Sequence, residues 1–217
     1  MVVKKAHMKP TSYYAANIKK GWIVLHHTAG HDNPLAVIKG WDSDSRGRVG
    51  TQFVIGGLNA ATGKGKYDGV ICEAFPPGSY AWHTGTGSSA LHLDSVGIEL
   101  CNIGYVINNE SYVGSPVICC QQVMLKNVFR GHLFWHKYSD KQLISLKQLL
   151  LHQANLYDID LHVGLYEWVK KYGAGGFDFC NLKYANSNRG LYTHANLVKS
   201  KSDVFPQPEL VDLVLSL

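Results

Sequence analysis

Apolar positions recur along this chain with two periods. From Gly21 to Thr28 the run Trp22-Ile23-Val24-Leu25 is apolar on consecutive positions, the pattern of a strand buried on both faces. Thr51 to Ile55 predicts a second short strand after the glycine-rich stretch of residues 47 to 50. Ser95 to Cys101 predicts another, with Val96, Ile98 and Leu100 on one face. Residues 63 to 75 read as a hairpin, with Lys66 to Glu73 as its second half. Helical spacing governs other segments. Asn33-Pro34 has the form of an N-cap followed by proline at the first helical position, and Leu35, Ile38 and Trp41 follow at i+3. Ser139 with Gln142 has the form of a capping box opening the clearest helix, marked by Leu143, Leu146, Leu149, Leu150 and Leu156. A last helix is expected from Pro208 through Leu210, Val214 and Leu217. Strands interleaved with helices predict a single α/β domain with a central mixed sheet flanked by helices. Residues 105 to 135 and 171 to 190 fit neither period and read as surface elaborations.

Composition sharpens this picture in a few places. The 217 residues suffice for one substantial domain, expected over 21 to 217 with residues 1 to 20 as an N-terminal extension. Hydrophobic content of 46% against 17% charged residues indicates a packed core and excludes a disordered chain. A net charge of +5 favours an anionic partner such as nucleic acid, a membrane surface or a cell-wall polymer. The basic residues are scattered, however, with tight pairs only at Lys4-Lys5, Lys19-Lys20 and Lys170-Lys171, so no nucleic-acid partner is expected. No apolar run is long enough to span a bilayer, and membrane insertion is not expected. Five cysteines without a CxxC pair, and an N-terminus lacking a signal-peptide apolar core, point to synthesis in a reducing cytoplasm. Cys119 and Cys120 are expected as buried small hydrophobes.

Three places carry candidate chemistry. His26-His27 ends a strand that otherwise reads as core, and adjacent strand residues face opposite ways, so only one of the two can face a given site. The pattern leaves open which. The stretch from Thr193 to Asp203 brings His194, Lys201 and Asp203 into one loop-like segment, and loops on a rigid scaffold often carry function. Glu99 interrupts the apolar alternation of its strand. It is costly if that face is buried and ordinary if it is exposed.

Four motifs occur in order: Ile-Val-Leu-His-His-Thr-Ala-Gly (23–30), Ala-Trp-His-Thr-Gly (81–85), Ser-Val-Gly-Ile-Glu-Leu (95–100) and His194 with Lys201-Ser202-Asp203. Together they resemble the zinc-dependent N-acetylmuramoyl-L-alanine amidases, the family of phage lysozyme-amidases, anhydro-muropeptide amidases and peptidoglycan-recognition proteins. The resemblance spans about residues 21 to 210. It implies a Zn²⁺ site of His26, His194 and Asp203, with Glu99 as acid/base and Lys201 as a second catalytic group. It also implies that Trp82, His83 and Thr28 contact substrate. Three protein ligands leave the fourth zinc position open, as catalytic sites require. Some phage members place a catalytic tyrosine where this chain has Thr51, and these tend to lack the glutamate that this chain keeps.

The expected partner is peptidoglycan and the expected state a monomer. The expected role is a phage endolysin, made in the host cytoplasm and reaching the wall through a holin-type release, or carried in the virion. The alternatives are a cytoplasmic muropeptide-recycling amidase, a zinc peptidase of another fold, and a binding module of the same fold. Binding-only members lack at least one metal ligand, whereas this chain has all three.

Overall fold

In the computed structural model, which describes residues 1–87 and 89–217, the chain begins with a short strand, β1 (Val3–Lys5), and enters its core through β2 (Trp22–His27). Helix α1 (Pro34–Trp41) follows, its start fixed by the Asn33 side chain, which accepts from the Leu35 and Ala36 amides. Next come β3 (Phe53–Ile55), β4 (Ile71–Glu73), α2 (Ala90–Leu93) and β5 (Ser95–Leu100). Two small two-stranded units follow, β6 (Val106–Ile107) with β7 (Glu110–Ser111), and β8 (Gln122–Phe129) with β9 (His132–His136). The C-terminal part holds α3 (Asp140–Tyr157), α4 (Leu165–Tyr172), α5 (Leu182–Ser187), β10 (Leu191–Thr193), α6 (His194–Leu197) and α7 (Pro208–Leu215). Ser139 caps α3, accepting from the Gln142 amide at 3.1 Å, but the expected box does not close, because the Gln142 side chain donates to the Ile55 and Cys101 carbonyls instead.

Six strands form one mixed sheet in the order β1-β4-β3-β5-β2-β10. All its pairings are parallel except β3 with β4. The sheet is covered on both faces, so the chain is a single α/β domain of the expected class. On one face Ile23, Leu25, Val96, Ile98 and Leu100 pack against Leu146, Leu149 and Leu150 of α3 and Leu210 and Val214 of α7. On the other, Val54 and Cys72 meet Ile38 of α1, while Trp22 and Val24 meet Leu91, Trp168 and Leu197. Burial on both faces explains the unbroken apolar run of β2.

Several expectations are corrected. Residues 63 to 75 do not form a hairpin: only Ile71–Glu73 is extended, and it pairs antiparallel with β3 across a long connection. Gly63 and Gly69 there have φ of +67° and +75°, which turns the backbone away from a strand. Residues 105 to 135 are more than surface elaboration, because Leu125, Phe129 and Trp135 join the main core. Their alternation is masked by a register shift between Met124 and Phe129. Residues 171 to 190 bury Phe177 and Ala185. Cys119 and Cys120 are exposed, not buried. Within the first twenty residues, β1 pairs with β4 at the sheet edge. No helix among the described residues is long and apolar enough to cross a membrane.

Beneath the sheet, His27 sits near Trp135 and Phe205 and within 3.1 Å of the Tyr138 hydroxyl, and His136 is also buried. Burial lowers both imidazoles to about 4. The unfolded chain takes up protons from roughly pH 6.5 downward while the folded state stays neutral, so stability is lost as pH falls toward about 4. The urea midpoint is expected to be clearly lower near pH 4 than at neutrality, and more nearly constant in a His27→Gln, His136→Gln double variant. An equal acid dependence in both proteins would rule these histidines out as its source.

Candidate metal centre

Three neighbouring parallel strands, β10, β2 and β5, end at the same rim of the sheet. Their register pairs His26 with Glu99 and Thr193 with Leu25, so His194 emerges beside His26. Paired residues of parallel strands project to one face, which sets His26 and Glu99 together and sends His27 to the opposite side. Tertiary structure thus makes the choice that the His26-His27 pattern left open. At the end of β10 the chain turns into α6 through a reciprocal cap. The Thr193 hydroxyl accepts from the Asn196 amide, and the Asn196 side-chain oxygen Oδ1 accepts from the Thr193 amide. Asp203 arrives from the following loop, its carbonyl receiving the Ala195 amide at 2.8 Å.

His26 Nδ1, His194 Nδ1 and Asp203 Oδ2 form a triangle with edges of 3.1, 2.9 and 3.3 Å. Among the described residues this is the group of three whose donor atoms could share a metal ion. Tetrahedral zinc with bonds of about 2.0–2.1 Å requires donor separations of about 3.3–3.4 Å, close to those observed. The ring tautomers fit as well. His194 Nε2 lies 3.1 Å from the Thr84 carbonyl, which can only accept, so the Nε2 proton is used there. For His26 the constraint runs through three residues. The Ser95 hydroxyl donates to the His92 carbonyl at 3.0 Å, so its oxygen must accept from His83 Nε2 at 2.9 Å. His83 Nδ1 then accepts from His26 Nε2 at 3.0 Å. Burial, reinforced by the neighbouring histidines, lowers His26 to about 4 and His83 well below the usual imidazole range, as neutral rings require. Both Nδ1 lone pairs and a carboxylate oxygen therefore face one another with no proton between them. A cation resolves that conflict.

The triangle opens on a cleft of 540 Å³ lined by all eight residues that the sequence singled out. Glu99 is 9% exposed at its floor. Burial, with the nearby Asp203 charge, raises its carboxyl well above the usual range, against the opposing pull of Lys201. Lys201 is exposed at the rim. Trp82 stacks on His92 with ring centres 4.3 Å apart. The Thr28 hydroxyl is occupied, receiving the Asn102 amide at 3.1 Å. Both nitrogens of His83 are likewise committed, which makes it a support for His26 more than a free substrate contact. Thr51 stands in the cleft wall, its hydroxyl donating to the Phe53 carbonyl at 3.0 Å.

The sequence reading missed Thr84, Ser95 and Gly97. A Cβ at Gly97 would lie 2.9 Å from Thr51 and 3.1 Å from His83 Nδ1, so this glycine leaves the imidazole its place. Ser95, Gly97 and Glu99 alternate along one strand face, a signal that is available once Glu99 is known to face a site.

The fold and donor set define an α/β protein that gathers two imidazoles and a carboxylate, a group that could hold a metal ion, at the carboxyl ends of parallel strands. The chain belongs to the N-acetylmuramoyl-L-alanine amidase family, whose model matches residues 19–203. No curated protein matches it in sequence. Its fold is similar to that of PlyL, with a TM-score of 0.53 and 12% identity over 93% of this chain and 85% of that one. It is also similar to the N-acetylmuramoyl-L-alanine amidase LysC from Clostridium intestinale URNW, with a TM-score of 0.52 and 14% identity over 100% and 99% of the two chains. The endolysin LysCS from the same organism gives a TM-score of 0.51 at 16% identity over 100% and 96%.

Replacing His83 with alanine removes the acceptor of the His26 Nε2 proton. Zinc affinity, measured by chelator competition, is expected to fall about 10–100-fold in His83→Ala. Unchanged affinity would show that the relay does not hold His26 in register.

Proposed function

We propose that this protein is a zinc-dependent hydrolase that cleaves the amide between the lactyl group of N-acetylmuramic acid and L-alanine in peptidoglycan. The observation that carries this reading is the triangle of three acceptor atoms beside a buried carboxylate in an open cleft. Family membership supports amidase chemistry. The complete ligand set supports an enzyme over a module that only binds the wall. Similarity in fold to an endolysin amidase supports a role in phage-induced lysis, with the recycling of small muropeptides as the alternative.

His26, His194 and Asp203 would hold the ion. When bound, zinc supplies Lewis acidity and lowers the pKa of coordinated water to about 7. The remaining work falls to this chain's own side chains. Glu99, on the same face as His26, takes a proton from the attacking water and returns it to the departing L-alanine amine. Its raised pKa lets it carry that proton between the two steps. Lys201, at the rim, donates to the oxyanion that develops on the lactyl carbonyl. The low-exposure floor around Glu99 strengthens its own interactions relative to bulk water.

Zinc-loaded protein incubated with purified peptidoglycan is expected to free L-alanine amino termini while leaving glycan strands intact, read by mass spectrometry. New reducing sugar ends, or cuts within the stem peptide, would overturn the assignment. Comparing intact sacculi with soluble muropeptides separates lysis from recycling. Glu99→Gln is expected to keep zinc and lose roughly 10²–10⁴-fold in turnover. Lys201→Ala is expected to keep zinc and lose about 2.7–4 kcal/mol of barrier lowering.

A further inference from the structure

The β8–β9 hairpin turns through Arg130-Gly131, with Phe129 paired to His132 across a two-residue loop. Both turn residues have positive φ, +50° and +88°, as a type I′ turn demands. Asparagine, aspartate and glycine take the first of these positions readily; arginine is a strained choice. The reason lies in its side chain, which is 14% exposed and folds back toward the metal centre's loop. Nε forms an ion pair of 2.6 Å with Asp178 Oδ1. Nη2 donates to the Ala195 carbonyl at 3.1 Å and to the Asp178 carbonyl at 3.4 Å, and Nη1 donates to the Lys199 carbonyl.

The Ala195 and Lys199 carbonyls flank the loop that carries Lys201 and Asp203, while Asp178 anchors the guanidinium from outside that loop. Ala195 follows His194 and donates its own amide to the Asp203 carbonyl. Lys199 lies two residues before Lys201, whose amide closes a turn on Val198 at 3.0 Å. Lys199, Ser200 and Lys201 are all exposed, so side-chain burial does little to order this stretch. One planar guanidinium with five donors can hold both limbs at once; a lysine ammonium has no such fork.

We propose that Arg130 is a positioning residue for the metal centre, clamping the loop of residues 195 to 203 so that Asp203 and Lys201 stay aimed at the cleft. The inference rests on the reading of Asp203 as a ligand and Lys201 as an oxyanion donor. It gives the otherwise unassigned β8–β9 hairpin a function: its turn is held in a strained conformation to deliver one side chain to the loop.

Arg130→Asn tests this without breaking the hairpin, since asparagine suits the turn. The melting temperature of the metal-free protein is expected to stay close to native. The zinc dissociation constant is expected to rise at least tenfold, amide exchange over residues 199 to 203 to accelerate, and kcat to fall with KM little changed. Arg130→Lys, which keeps the charge but not the fork, should follow the same course. Lys126→Ala, an exposed change on the same hairpin, should match the native protein throughout. Native zinc affinity and native loop protection in Arg130→Asn would overturn the clamp while leaving the hydrolase reading intact. A native protein that neither binds zinc nor cleaves peptidoglycan would overturn both.

Discussion

Parallel pairing of β2 with β5 and β10 is the constraint from which the rest of this molecule follows. It sets His26 against Glu99 and delivers His194 to the neighbouring strand end. A slip of one residue in either pairing would turn the functional side chains to the opposite face and expose the core set in exchange. Burial on both faces prevents such a slip. Ile23, Leu25, Val96 and Ile98 are locked against α3 and α7 on one side, and Trp22 and Val24 against Leu91 and Trp168 on the other. Packing energy distributed over the sheet therefore fixes the relative positions of a few polar atoms at its rim.

Those atoms are held by a second layer of hydrogen bonds that runs inward from the cleft. His26 leans on His83, His83 on Ser95, and Ser95 on the His92 carbonyl, while His194 leans on the Thr84 carbonyl. Every partner in this relay is buried or half-buried, where an unsatisfied polar group would be costly. Satisfying the chain in one direction only gives each ring a single tautomer. Close approach is needed as well, and Gly97 permits it by offering no side chain beneath His83.

The centre is built unequally. Two imidazoles and a glutamate sit on strands or at a strand end, where the sheet restrains them. A carboxylate and an ammonium come from a loop with exposed neighbours. A scaffold of this kind must order the loop by contacts from outside it, and Arg130 reaches it from a hairpin more than sixty positions away in the chain.

Much of this was legible in the residues themselves. The two-faced apolar run of β2, the Asn33-Pro34 start of α1 and the Ser139 cap of α3 are local patterns with local causes, and they survive folding unchanged. The candidate site was legible through four motifs whose order resembles one amidase family. What the residues could not say is which histidine of the 26-27 pair faces the cleft, because a strand offers both faces equally until its neighbours are placed. Nor could they say that Glu99 lies on the floor of the cleft, or that Ser95 and His83 are linked to His26 by hydrogen bonds, since those relations are set by the placement of segments distant in sequence. The supposed surface role of residues 105 to 135 failed for the same reason, whereas the hairpin expected over residues 63 to 75 failed locally, where Gly63 and Gly69 turn the backbone. Local periodicity reports how a segment can fold, and only long-range packing decides what it folds against.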